Sequence, residues 1–224
     1  MQQLHGYTRE EVETVIKPMA RDGKEPVGSM GDDTPLSALQ NQGRLLYTYF
    51  KQRFAQVTNP AIDSIREEIV MSLDMYLGRR RSVLEAVPEA ARLVHLTSPL
   101  MLDEELSALR RLGLDDFRVA TLHARFPVVD GTEGLKQSID DLCAAAVLAV
   151  DEGHSILVIS DRLVDKDWAP MPMLMAVGAV HHHLIQTGRR MRASIIAESG
   201  DARDVHHFAA LIGFGASAVI PYLA

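Results

Sequence analysis

Cysteine is nearly absent from this chain of 224 residues, which holds only Cys143. One thiol excludes an internal disulfide, a cysteine-rich zinc site and an iron–sulfur cluster held by this chain alone, and it fits a reducing compartment such as the cytoplasm. Long apolar runs are missing too. The longest, from Cys143 to Val150, is ended by Asp151 and Glu152, well short of the roughly 20 residues needed to span a bilayer. The amino terminus lacks the basic-then-apolar pattern of a secretion signal. Basic charge is in deficit, with 23 Lys and Arg against 30 Asp and Glu and a formal net charge of -7, which argues against nucleic acid as the main partner. No sequence repeat or low-complexity tract stands out. What the chain does have is a hydrophobic share of 47%, enough for one domain with a sizeable core.

Organisation starts with the first residues. MQQLHGYTREEVETVIKPMA is an amphipathic helical pattern in which Thr8 is the N-cap and Glu11 completes a capping box. Order from the outset reads as a piece of something longer. Gly23 to Thr34, GKEPVGSMGDDT, predicts a loop that is mobile if it lacks partners. Leu36 to Gln56 predicts a helix, with Leu39, Leu46, Phe50 and Phe54 on one stripe. VTNPAID, from Val57 to Asp63, ends it, because Pro60 pushes Asn59 out of the helical region. Ser64 then restarts a helix, with Glu67 in capping-box position, running into MSLDMYLG.

Beyond that point short apolar runs alternate with amphipathic stretches. Strands are predicted at Arg92 to Leu96, Phe117 to His123, Ser155 to Ser160, Ala193 to Ala197 and Ala218 to Ile220. Helices are predicted at Asp103 to Leu112, Leu135 to Glu152, Met171 to Thr187 and Ala202 to Ile212, the last two stopped by Gly188 and Gly213. This alternation means βα units and a parallel sheet. Four or five units are fewer than the eight of a full barrel, which takes about 250 residues. The fold class is therefore α/β, an incomplete (β/α) barrel-like parallel sheet with an N-terminal helical and loop segment. It is one domain, with helices and loops over 1–82 and βα units over 92–224.

Candidate chemistry is sparse. His181, His182 and His183 are consecutive, and His206 adjoins His207. A helix fans consecutive side chains about 100° apart, so packing and hydrogen bonding outweigh metal ligation. SILVISDR places Asp161 and Arg162 at the carboxyl edge of the sheet, where α/β proteins bind ligands, and ASIIAESG places Glu198 and Ser199 at another strand end. These residues could serve a free-standing (β/α) enzyme. The structural alternative is that Asp161 pairs with Arg162, while Ser199 or Asp201 caps the following helix. LIGFGASAV carries glycines ahead of a strand rather than a helix, so it is no phosphate loop.

EPVGSMGDDTPLSAL and LLYTYFKQRFAQVTNPAIDSIREEIVMSL, followed by ISDR, VGAVHHHLI, ESGDARDVHHFAALIGFGASAV and PYLA, together resemble the central domain of glutamate synthase large subunits. The resemblance implies a multidomain parent enzyme making glutamate from glutamine and 2-oxoglutarate. Its partners within that polypeptide would be a cysteine-nucleophile glutaminase domain and an FMN-binding domain carrying a 3Fe–4S cluster. This domain would bind no cofactor and no metal, would be inactive by itself, and would join the two halves while lining the ammonia tunnel. Met30, Thr58 and Asn59 match the tunnel-side segments, Met30 as a movable plug. A pure interaction module that only holds subunits together is a third reading, and the resemblance leaves open whether the chain alone forms a homo-oligomer.

Overall fold

The computed structural model describes residues 1–26, 39, 41, 43–50 and 55–224. The GSMG part of the predicted loop, with Met30, and residues 36–38, 40, 42 and 51–54 of the helix predicted over 36–56 lie outside them. Among the described residues the strands are β1 (Met75–Leu77), β2 (Val94–Leu96), β3 (Val119–His123), β4 (Arg125–Pro127), β5 (Ile156–Ser160), β6 (Trp168–Pro170), β7 (Ser194–Glu198) and β8 (Ala218–Ile220). The α-helices are α1 (Arg9–Glu11), α2 (Lys17–Asp22), α3 (Ser64–Val70), α4 (Asp103–Arg111), α5 (Gly131–Asp151), α6 (Met173–Gln186) and α7 (Val205–Gly213).

Strands β3, β5, β7 and β8 form a parallel sheet in that order, with Leu157 opposite Ile195 and Ile196 opposite Ala218. Each strand end is linked to the next strand by one of α5, α6 and α7, the βα repetition expected from the sequence. Beyond β8 the sheet is extended by residues 99–101. Val219 donates to Pro99 O at 2.8 Å, and Met101 donates to Val219 O at 3.0 Å, so the first extended segment of the βα series lies beside the last strand. That is how a barrel begins to wrap. No ladder joins 99–101 to β3 among the described residues, and no closed barrel is formed.

Alternation along the strands divides the core in two. Leu157, Ile159, Ile195, Ala197 and Val219 face the helices, meeting Leu142, Ala146, Val150, Leu174, Val177, Leu184 and Leu211. Ile156, Val158, Ile196, Ala218 and Ile220 face the interior with Leu77, Met101, Leu106 and Leu109. Burial on both faces is why these strands read as unbroken apolar runs. Leu106 and Leu109 project from α4, so this helix fills the interior as a missing strand would.

Both ends of the half-barrel are covered. At the amino end, β1 pairs antiparallel with β2 and is tied to the sheet by Ser194, whose Oγ accepts from Gly78 N at 3.0 Å and donates to Gly78 O at 3.2 Å. At the carboxyl end, β4 and β6 form an antiparallel pair, with the Arg125 guanidinium 4.5 Å from the centre of the Trp168 ring. The N-terminal residues lie over the same end.

Local chemistry accounts for the helix ends. Thr8 Oγ1 accepts from Glu11 N, and Glu11 Oε2 accepts from Thr8 N, each at 3.1 Å, which is the predicted capping box. A π turn over Val12–Ile16 joins α1 to α2, just ahead of Pro18, which has no N–H to donate to a regular helical ladder. Four expectations need correcting. The cap of α3 is Asp63 rather than Ser64, because its carboxylate accepts from both Ile65 N and Arg66 N. The MSLDMYLG stretch contains strand β1, recruited by β2 and Ser194 rather than by its own periodicity. Within the helix predicted over 36–56, Leu46–Tyr49 is instead a 3₁₀ turn followed by extended Phe50, and no α-helix forms among the described residues of that stretch. Helix α7 starts at Val205, capped by Asp204 rather than by Ser199 or Asp201, and the left-handed glycine after it is Gly215 rather than Gly213.

Candidate functional site

Carboxyl-edge residues come from three strand ends. Asp161 follows β5, Glu198 closes β7, and Tyr222 returns over the sheet two residues after β8. The predicted pairing of Asp161 with Arg162 does not occur. Arg162 turns the other way, donating from Nε to Glu198 Oε1 at 2.7 Å and from Nη2 to Asp103, while its guanidinium stacks 4.2 Å from the Tyr222 ring centre. Asp161 instead accepts from Tyr222 Oη at 2.7 Å and from Gly200 N at 3.0 Å. Glu198 and Arg162 edge a cleft of about 350 Å³ together with Asp103, Arg110, Thr121 and His123.

The N-terminal segment seals this edge. His5 sits with Nδ1 3.7 Å from Asp161 Oδ2, both side chains 1% exposed. Burial lowers the His5 pKa, and burial raises the Asp161 carboxyl from 3.8 to about 7 against the opposing hydrogen bonds from Tyr222 and Gly200. Both groups are thereby driven toward their uncharged forms, so the contact is a close polar pair rather than an ion pair. Gly200 is required here, since a Cβ at this position would lie 2.7 Å from the His5 ring. Arg203 clamps the same segment from below. It donates to the carbonyls of His5 and Gly6 and to Glu11 Oε1, and its guanidinium lies 4.3 Å from the Tyr7 ring centre. Tyr7 Oη is buried without a hydrogen-bond partner among the described residues, and burial pushes its pKa up to about 12.

A second set of buried groups lies alongside. Asp201 accepts from Tyr47 Oη at 2.9 Å, from Ser199 Oγ at 2.5 Å and from Met173 N at 3.3 Å. The Tyr47 ring stacks on His207 at 4.3 Å, and burial lowers the His207 pKa. Two more histidines of the clusters are engaged separately: His181 Nδ1 accepts from Arg190 Nε at 2.8 Å, and His206 Nε2 meets Tyr47 O at 3.0 Å. Among the described residues no group of three or more His, Cys, Asp or Glu side chains could hold a metal ion. Nor is any of the described helices long and apolar enough to cross a membrane.

Chemically the Asp161 side of the edge is covered by its own chain, while the Glu198 and Arg162 side borders the cleft. Asp161 has a carboxyl poised near neutrality, yet a substrate would reach it only by lifting the segment from Gln2 to Tyr7. The residues packed against it, His5 and Tyr222, lie 156 and 61 residues away in sequence and carry no local signal. Thr58 and Asn59 lie elsewhere, exposed in the irregular stretch before α3. Their side chains form no hydrogen bond among the described residues.

The whole chain, residues 1–224, matches the glutamate synthase central domain family. It is 49% identical over its full length to the ferredoxin-dependent glutamate synthase 2 of Synechocystis, covering 14% of that protein. The NADPH-type large chain of Bacillus subtilis glutamate synthase is 42% identical over the full chain, again with 14% of its length covered. The NADH-type glutamate synthase of Schizosaccharomyces pombe is 45% identical over 98% of the chain, with 10% of its length covered. The chain thus spans about a tenth to a seventh of the curated relatives it matches, and it belongs to the glutamate synthase central domain family.

Proposed function

We propose that this chain is the non-catalytic central domain of a glutamate synthase polypeptide, an oxidoreductase that makes glutamate from glutamine and 2-oxoglutarate. In that polypeptide it joins a glutaminase domain to an FMN-binding synthase domain, and its Met30, Thr58 and Asn59 line the passage that carries ammonia between them. FMN and the 3Fe–4S cluster belong to the parent's other domains. The observation that carries the reading is that the charged groups of the carboxyl edge are taken up by the chain itself: Arg162 pairs with Glu198 and Asp103, and the N-terminal segment covers Asp161. A (β/α) enzyme keeps this edge free for substrate. The exposed stretch around Thr58 and Asn59 suits residues whose neighbours are other parts of the polypeptide. Reducing conditions of the cytoplasm suit the single thiol.

The test is Thr58→Phe in the full-length polypeptide. The backbone at Thr58 is held ahead of Asn59 and Pro60, so added volume narrows a passage instead of swinging away. Glutamine hydrolysis should persist while glutamate formed per glutamine consumed falls, and the reaction supplied with external ammonia should change much less. Equal loss of the glutamine- and ammonia-driven rates, or no change in either, would remove Thr58 from the passage wall.

A further inference from the structure

Helix α3 buries none of its residues. All seven residues from Ser64 to Val70 are exposed, among them Ile65 at 85% and Ile69 at 80%, and the apolar run continues with exposed Val70, Met71 and Leu73. Ile65 and Ile69 are four residues apart and so share one face of the helix. A helix of this length does not persist in water by propensity alone, and most helices draw their stability from packing an apolar face. The Asp63 cap and the Asp63–Arg66 ion pair hold its first turn, but neither accounts for two isoleucines in solvent. The helix stands directly after the exposed stretch that contains Thr58 and Asn59, with only Pro60 to Asp63 between.

We infer that the Ile65–Ile69 face of α3 docks into an apolar groove on another domain of the same longer polypeptide, and that this docking fixes the position of the Thr58–Asn59 segment. Size selects this occupant over a second copy of the chain. Seven residues span about 10 Å, far too little for the roughly 1,000 Å² that a stable interface between separate molecules buries. A covalently tethered partner works at high effective concentration and holds so small a contact without that area. The relatives supply such a partner in length: 86 to 90% of each lies outside the matched region, taking 14% and 10% as the matched shares. The inference rests on the reading of the chain as one domain of a larger synthase.

Hydrogen exchange at the amides of 65–71, measured in the 224-residue chain and in the full-length polypeptide, tests it. Exchange in the isolated chain should be fast, and it should slow by at least about tenfold in the full-length protein. The isolated chain should sediment as a monomer. Ile65→Ser with Ile69→Ser in the full-length protein should restore fast exchange at these amides, lower the glutamate formed per glutamine, and spare the ammonia-supplied rate. Fast exchange in both proteins overturns the docking, and so does slow exchange in an isolated chain that sediments as a dimer, which would make a second copy the occupant. Slow exchange confined to the full-length protein, with coupling unchanged in both the isoleucine variant and Thr58→Phe, leaves the docking standing and removes the passage from the proposed function.

Discussion

Asp161 concentrates a conflict between burial and charge that the surrounding groups only partly relieve. Its two strong donors, Tyr222 Oη and Gly200 N, favour the carboxylate, yet burial wins and the pKa rises from 3.8 to about 7. A folded-state pKa above the unfolded value means that the native chain holds a proton the unfolded chain has released. Stability attributable to this residue therefore falls as pH rises from about 4 through about 7. His5 works in the other direction: its lowered pKa costs stability as pH falls below 6.5. Asp161→Asn keeps an oxygen to accept from Tyr222 and Gly200 and presents an amide N–H toward His5 Nδ1, while removing the titration. We expect the variant to gain on the parent chain between pH 5 and about pH 7, by roughly 2 kcal/mol, and the gain to level off toward pH 8, in urea titrations at each pH. A constant difference between the two proteins across that range would show that Asp161 is already ionised in the folded chain.

At the scale of elements, the strands that were legible in the sequence are those whose own burial determines them. SILVIS and ASIIA are apolar on both faces because each lies between helices on one side and the interior of the half-barrel on the other. β1 was not legible. Only Leu77 of its three residues is buried, and it becomes a strand through β2, 17 residues downstream, and through Ser194, 117 residues beyond Leu77. The same limit applies to the site. Asp161 and Glu198 could be placed at strand ends from local pattern, but the direction in which Arg162 turns depends on Asp103, which arrives from another helix. Helix caps show a finer version of it: Asp63 and Ser64 are both competent caps, and the carboxylate that reaches two N–H groups takes the position. For β1, Ser194→Ala tests the dependence directly. The change leaves Gly78 N and O without their partner in a buried position, and such a loss costs about 1–3 kcal/mol. Chemical denaturation should report that loss with the far-ultraviolet circular dichroism of the native state unchanged. A cost within about 0.5 kcal/mol, the usual range for surface substitutions, would mean that β1 is held by Leu77 packing alone.

For the molecule as a whole, the half-barrel leaves two ends and one open side to be dealt with, and the sequence uses its first residues on the carboxyl end. Residues 1–22 contribute little apolar mass to either core cluster. They bring His5 and Tyr7 as a buried cover, and they take up Arg203 through the carbonyls of His5 and Gly6 and the carboxylate of Glu11. Removing residues 1–22 should therefore leave the sheet and helices α5 to α7 folded, because their packing does not pass through the missing segment. The chain should nonetheless lose stability: Arg203, now without Glu11 and two carbonyls, regains only solvent, and Asp161 loses its cover. Exposure relieves the burial that raised its carboxyl, so the pH dependence expected between pH 4 and pH 7 should flatten in the truncated chain as it does in Asp161→Asn. Thermal unfolding followed by circular dichroism gives both readouts, and the expected result is a lower midpoint, a single transition and a shallower pH slope. A truncated chain that no longer folds would place residues 1–22 inside the core rather than over it. One that unfolds at the parent's temperature, with the parent's pH slope, would mean that the carboxyl edge is sealed without them.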